Sequence, residues 1–308
     1  MRIMNAFSDV NDAQESGRDS FSKILSLLRV DVDVYHNAKV CGDWRLSEHQ
    51  LGLTCFHMVT MNSCMLDVPE HLHCALHCGD LVIFPRELAH SMVAEKKLTG
   101  PQQHLDYRVS QTIEGTGMLC GAMRFQHIGS RFLLDALPPV FVIRYDESNG
   151  WMKPLLEMIL SESMSICPAS KALVNKLSEL LFIYALRQYL SDNPKEVGML
   201  AVYGHPRLAR AVSAIHQQPE YEWTLDSMAK EAALSRTTFA ETFKQVCGWT
   251  PGQYLTWWRM QLAWSLLVDG EASAEVANKV GYKSESAFSR IFKKTFLIAA
   301  GKVRRGDA

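Results

Sequence analysis

The stretch Ser235–Pro251 recurs, altered, about fifty residues further on, and this repeat limits what the C-terminal third of the chain can be. Phe239, Phe243 and Lys244 in the first copy answer to Phe288, Phe292 and Lys293 in the second. Ahead of each lies an Ala-x-x-x-small step into a turn, Ala229 to Ala233 and Ala277 to Gly281. Phenylalanines four apart share one face of a helix, so each copy buries its pair. Ser235 and Ser284 stand where a hydroxyl can cap a helix by accepting from a free backbone N–H of the next turn. A first helix with a small residue at the crossing, a tight turn and a capped second helix make a helix-turn-helix, here over 224–246 and again over 273–295. Its outward positions are Arg236, Thr237, Thr238, Ala240, Glu241 and Lys244 in one copy. In the other they are Lys283, Glu285, Ser286, Ser289, Arg290 and Lys293.

The charge distribution points to an anionic partner. The 308 residues carry a formal net charge of −1, but from Gly204 onward 14 Lys and Arg stand against 10 Asp and Glu, and elsewhere 18 against 23. Between Lys279 and Arg305 the bias sharpens to eight basic residues against Glu285 alone. On a helix-turn-helix scaffold such a segment fits the phosphates of double-stranded DNA better than it fits a merely solvated face. A hydrophobic share of 47% with 21% charged residues belongs to a folded globular chain, and the length calls for two domains. No run reaches the roughly 18 apolar residues of a membrane span, and Met1–Phe7 lacks the apolar core of a signal peptide. The expectation is a cytoplasmic protein with no membrane partner. The eight cysteines are scattered singly, without a Cys-x-x-Cys pair, so reduced thiols are expected.

Residues 1–18 are polar and unpatterned and read as a flexible arm. Phe21, Ile24, Leu25 and Leu28 then make one helical face over Asp19–Val30. From Asp31 to Ile143 the apolar period changes to two, in short runs punctuated by Gly, Pro, Asn and Asp. The predicted strands are Leu51–Met61, Leu72–His77, Leu81–Phe84, Tyr107–Thr112 and Met118–Gln126. Many short strands with no helix between them imply a sandwich or a barrel. A helical pattern takes over at Trp151: one helix runs to about Ser161, and a longer one, with Pro168 in its first turn, to about Leu190. The longer helix has an apolar stripe of Leu173, Leu177, Leu180 and Tyr184 and another of Phe182, Leu186 and Leu190, so it needs cover on both sides. One side can meet its own barrel. A second subunit on the other makes 146–193 a dimerisation and transmission segment; burial of both stripes within one chain is the alternative. Turn formers mark a linker at 194–204 before a helical domain at 205–308.

These residues carry two resemblances. Gly79-Asp-Leu-Val-Ile-Phe-Pro85, followed by Arg-Glu-Leu-Ala-His90, is similar to the second motif of the cupin barrel, with Glu87 where a Gly is usual. His71-Leu-His73 has the His-x-His form of the first motif, but so near Gly79 that no room remains for the usual acidic ligand and spacer. Leu119-Cys-Gly-Ala-Met-Arg-Phe125 and Leu137-Pro-Pro139 resemble the regulatory cupin domains of AraC-type bacterial transcription factors. From His205 to Arg304 the chain resembles the AraC-type DNA-binding domain, in which a long helix joins two helix-turn-helix motifs. Phe243–Leu255 match the end of the first, Arg259-Met-Gln-Leu-Ala263 the connecting helix and Gly281–Phe292 the second. The tail departs, with Leu297 for the usual Gly, Ala300 for Pro and Val303 for Tyr, and Ala233 replaces the common turn Gly of the first copy.

The resemblance implies an α+β chain of two domains: a cupin-like β-barrel at 19–145 followed by helices, then an all-α domain with two helix-turn-helix motifs. It implies a sequence-specific transcription regulator that binds promoter DNA, acts as an activator through RNA polymerase, senses an effector in the cupin-like domain and forms a homodimer. Base contacts carried over by position are Arg236, Thr237, Ala240 and Glu241, with Glu285, Ser286, Ser289 and Arg290. The rival is a cupin metalloenzyme with a DNA-binding appendage, which needs a full ligand set.

Three further groups in the N-terminal half each have a sharp and a bland reading. His57 and His90 can converge in the barrel mouth on an effector or a metal, or be hydrogen-bonded core histidines. His71, His73 and His77 share one strand face, where they can bind zinc or copper or form an exposed polar face. Cys41, Cys64 and Cys120 can sense an oxidant, or pack as small apolar groups. No cofactor is expected.

Overall fold

The structure, a computed structural model, describes residues 30–47, 53–96, 98–125, 134, 137–148, 150–193 and 198–307. The expected arm over 1–18, the helix over 19–30 save its last residue, and 194–197 of the expected linker lie outside the described residues. Two compact units divide the chain, one built on Val30–Gln126 and Leu137–Tyr189, the other on Leu190–Ala308.

The first unit is a sandwich of two open sheets. Its strands are β1 (Val30–Cys41), β2 (Arg45–Leu46), β3 (Thr54–Met61), β4 (Ser63–Val68), β5 (Leu72–His77), β6 (Leu81–Phe84), β7 (Ser91–Ala94), β8 (Gln103–Leu105), β9 (Gly115–Phe125) and β10 (Phe141–Ile143). One sheet runs β10-β6-β3-β9-β1-β8, the other β2-β7-β4-β5. The expected closed barrel is therefore corrected: the edge strands of the two sheets do not pair with one another, and three of them, β2, β8 and β10, are only two or three residues long, too short to carry a seam. What joins the sheets is apolar packing, with Val40, Val59, Val82 and Met118 from one and Cys64, Leu66, Leu76 and Met92 from the other in a common core.

Tyr107–Thr112 is not a strand. Asp106 accepts from the Arg108 backbone N–H at 2.8 Å and its carbonyl accepts from the Ser110 hydroxyl, so the chain turns there. Asp80, buried after the Gly79 turn, fixes the entry to β6 by accepting from the backbone N–H groups of His77 (3.0 Å) and Tyr145 (2.9 Å) and from Arg144 Nη1 (2.7 Å).

Helices α1 (Met152–Met164) and α2 (Ser170–Asp192) follow. α2 begins two residues after Pro168, because Ala169 takes a left-handed φ of 69° and its carbonyl accepts the first helical bond, from Leu173 N–H. The helix packs on the large sheet through Phe182 against Phe125, at 5.8 Å between rings, and Asn175, whose Oδ1 accepts from Val34 N–H. Its faces divide differently from the two predicted stripes. Leu177 is 7% exposed and faces inward, whereas Leu173 and Leu180 are 48% and 45% exposed. Tyr184 lies half-buried, stacked on Trp151.

The second unit is helical: α3 (Ala201–Gly204), α4 (Leu208–Gln217), α5 (Leu225–Glu231), α6 (Arg236–Cys247), α7 (Pro251–Val268), α8 (Ser273–Lys279), α9 (Glu285–Phe296) and α10 (Ala300–Arg304). α7 is buried on most of its circumference, since both halves of the unit pack on it. Toward its start Tyr254 meets Trp257 and Phe243, and Phe243 meets Phe239; toward its end Trp264 meets Phe292 and Phe296. Its start is set by Pro251 at the first position and by a capping box between Thr250 and Gln253. α10, where Ala300 replaces a proline, has no side-chain cap and lasts five residues.

The sequence repeat is also a repeat of hydrogen bonds. After α5, Leu234 N–H donates to Ala229 O and Ala233 N–H to Lys230 O; after α8, Tyr282 N–H donates to Ala277 O and Gly281 N–H to Asn278 O. Each is a Schellman turn closed by a left-handed residue, Ala233 at φ 51° and Gly281 at φ 81°. Leu297, 87% exposed at φ 61°, fills the same role after α9, where Gly248 does so after α6. A side chain in that region costs about 1–2 kcal/mol, whereas a glycine there costs about 0.4–1 kcal/mol through the unfolded chain. Ala233→Gly and Leu297→Gly are each expected to stabilise the protein by about 0.5–1 kcal/mol in urea unfolding; a loss of stability in both would contradict the strained conformation.

Candidate nucleic-acid interface

α6 and α9 are built alike from the inside out. Phe239 and Phe243, and Phe288 and Phe292, are fully buried. Ser235 Oγ accepts from Thr238 N–H at 3.2 Å and Ser284 Oγ from Ala287 N–H at 3.3 Å, which fixes the first turn of each helix. The opposite faces are left to solvent. Arg236, Thr237, Thr238, Glu241 and Lys244 are exposed on the first copy, and Lys283, Glu285, Ser286, Arg290 and Lys293 on the second. Ala240 and Ser289 are half-buried, each next to the first phenylalanine of its pair.

The charges around these faces are arranged unequally. Arg236 Nη1 lies 3.6 Å from Asp226 on α5, a pair exposed enough to exchange for another acceptor. Lys283 reaches Glu222 at 2.5 Å, a hydrogen bond that holds the Glu222 carboxyl below its ordinary range. Lys279 is tied to Glu271 at 2.7 Å. Among the described residues no ion pair engages Arg290, Lys293, Lys294, Lys302 or Arg304, so these carry uncompensated positive charge around and beyond α9. Lys294, Lys302 and Arg304 were visible in sequence only as members of a basic run. The sequence puts Arg259 on the connecting helix, and a charge inside Tyr254–Trp264 must find partners; it donates to the carbonyls of Pro219 and Tyr221, both at 2.8 Å.

In the first unit His57 and His90 do come together, Nε2 to Nε2 at 3.1 Å, both buried. His90 Nδ1 lies 2.8 Å from Leu88 O, and a carbonyl only accepts, so Nδ1 carries the proton, leaving the neutral ring's Nε2 to accept from His57 Nε2–H. Two neutral rings satisfy this geometry, and His90 stacks on Phe84 at 4.4 Å. Among the described residues no group of three or more His, Cys, Asp or Glu side chains is placed to hold a metal ion. The described donors therefore do not assemble a cupin metal site. His71, exposed in the turn before β5, is followed by His73 on the solvent side of β5, where it pairs with exposed Asp67 at 3.1 Å, and His77 is four residues further along. A strand rises about 3.3 Å per residue, which spreads these three over too great a length for one ion.

Cys41, Cys64 and Cys120 are buried. Burial pushes the Cys64 thiol up to about 12 and raises those of Cys41 and Cys120, which favours the unreactive protonated form. Cys78 is exposed just past the end of β5 and donates to Thr60 O. Among the described residues no helix is long and apolar enough to cross a membrane.

Comparison with known proteins agrees with the two units. A cupin family model matches residues 19–191, and a helix-turn-helix domain model matches residues 228–306. The chain is 31% identical over 297 residues to the HTH-type transcriptional regulator AlkR of Acinetobacter baylyi, covering 90% of this chain and 96% of that protein. It is 28% identical over 292 residues to the RCS-specific HTH-type transcriptional activator RclR of Escherichia coli, covering 93% and 97%. An AraC-type DNA-binding regulator structure from Chromobacterium violaceum aligns at 27% identity with a TM-score of 0.32, over 33% of this chain and 93% of its own. A cupin domain followed by a helix-turn-helix domain, matched along nearly its whole length by transcriptional regulators, places this chain in the family of AraC-type transcriptional regulators.

Proposed function

We propose that the protein regulates promoters by placing α6 and α9 in successive major grooves on one face of the DNA. The observation that carries this is the doubled element: two helices with the same cap, the same buried phenylalanine pair and an exposed polar face of early residues. Arg236 and Arg290 can pair bidentately with guanine, Glu241 and Glu285 can accept from cytosine, and Thr237 and Ala240 can meet thymine methyls. Thr238, Ser286 and Ser289 stand beside them, and Lys244, Lys283 and Lys293 neutralise phosphates. Selection of bound duplexes from a random pool tests this. Enrichment of two boxes about one helical turn apart is expected; bound DNA without sequence preference would contradict it.

The first unit supplies control rather than catalysis. Among the described residues no donor set completes a metal site, and the relatives are named as transcriptional regulators. The mutual hydrogen bond of buried His57 and His90 favours a structural role, since an effector contact at either Nε2 would break it. Activation is supported by a relative named a transcriptional activator, and action through RNA polymerase rests on the family resemblance alone. The exposed Leu173 and Leu180, with Tyr184, support a homodimer formed along α2. Leu177 is no part of that face, and Leu177→Glu would disrupt the sandwich instead. Leu173→Glu with Leu180→Glu is expected to weaken dimerisation by at least about 30-fold in sedimentation equilibrium. A double variant that remains dimeric at wild-type concentrations would rule this face out.

A further inference from the structure

We infer that Arg259 is the positioning residue that holds the two helix-turn-helix units at one angle and so fixes the spacing of the two DNA boxes the chain accepts. This rests on the proposal that both units enter the major groove. Arg259 sits midway along α7. Its Nε donates to Pro219 O and its Nη2 to Tyr221 O, each at 2.8 Å, so one planar fork grips the loop that leads into α5. The same guanidinium lies 5.8 Å from the centre of the Tyr282 ring, in the turn that leads into α9.

The second turn is pressed directly against this bridge. A Cβ on Gly281 would stand 2.5 Å from Arg259 Nη2 and 2.9 Å from Pro219 O. Gly281 is thus required twice, by its φ of 81° and by the absence of room, whereas Ala233 at the equivalent place in the first unit is exposed and carries its methyl. On the solvent side of the seam Lys283 closes onto Glu222 at 2.5 Å. A connecting helix by itself fixes the distance between two packed units along its axis. Two hydrogen bonds from a rigid fork to carbonyls of the first unit, made by a group in contact with the turn of the second, also fix their rotation. A lysine, with one nitrogen of rotatable donors, does not reproduce that fork.

The test uses the full chain and duplexes built from the selected sequence: two boxes at their selected spacing, the same duplex with the second box scrambled, and versions with one, two or three base pairs inserted between boxes. Each insertion turns one box by about 34° relative to the other. The wild type is expected to lose about tenfold or more on insertion, down to its affinity for the scrambled duplex. Arg259→Lys is expected to bind the scrambled duplex as the wild type does, yet to vary by no more than about threefold across the spacing series. A wild-type spacing profile in that variant would overturn the inference. Should Arg259→Lys fail to melt cooperatively, Tyr282→Ala, which keeps both hydrogen bonds and removes the ring beside the guanidinium, is measured instead; an unchanged profile there overturns it equally. If the wild type itself does not distinguish the two-box from the scrambled duplex, the proposal that both units read DNA has failed, and the inference with it.

Discussion

Phe292→Ala is expected to destabilise the Leu190–Ala308 unit by about 3–5 kcal/mol, the range for removing a fully buried aromatic side chain. Phe292 has no solvent exposure and meets Trp264 at 5.9 Å, Phe288 at 5.5 Å and Phe296 at 4.8 Å between ring centres. The cavity would therefore open in the contact that seats α9 on α7. The first copy has a separate aromatic cluster, Phe239, Phe243, Tyr254 and Trp257, and is expected to keep its helices. Chemical unfolding followed by tryptophan fluorescence measures the loss, and binding to one-box and two-box duplexes locates it. Affinity for two boxes is expected to fall to that for the first box alone. A change below about 1 kcal/mol would mean that the second unit does not rely on this packing.

Arg290→Ala has the second large effect, on discrimination. Arg290 is exposed in the first two turns of α9 and no ion pair among the described residues holds it, so its guanidinium is available to a base edge. Its loss is expected to cost about 1–3 kcal/mol on the selected duplex and to relax preference at one guanine, with little effect on unrelated DNA. Lys293→Ala is the contrast: it should weaken all sequences alike and lower the salt slope by about one. If Arg290→Ala also weakens every sequence equally, Arg290 is a phosphate clamp and the second box is read by other residues.

Much of this arrangement was legible because it is local. Caps at Ser235 and Ser284, phenylalanine pairs at helical spacing and the turn residues are all written within a dozen positions of one another. Leu297 and Ala233 announced their strained turns by standing where glycine is usual. What was not legible depends on distant pairing. Alternation over Asp31–Ile143 gives strands and their faces, but whether edges close into a barrel is decided by which short strands meet. Leu177 looked like part of an outer stripe because α2 is apolar on more than one side, and only packing on the large sheet separates it from Leu173 and Leu180. The role of Arg259 is not legible in the sequence because its partners lie 40 and 38 residues away and are carbonyls, which any residue supplies.

Guanine methylation interference on the selected duplex tests the central claim most directly, since N7 lies in the major groove. With the full-length protein, interference is expected at two clusters of guanines about 10 base pairs apart on one face of the helix, with the cluster facing Arg290 lost in Arg290→Ala. A single cluster, or interference spread evenly around the duplex, would contradict the placement of α6 and α9 in two successive grooves.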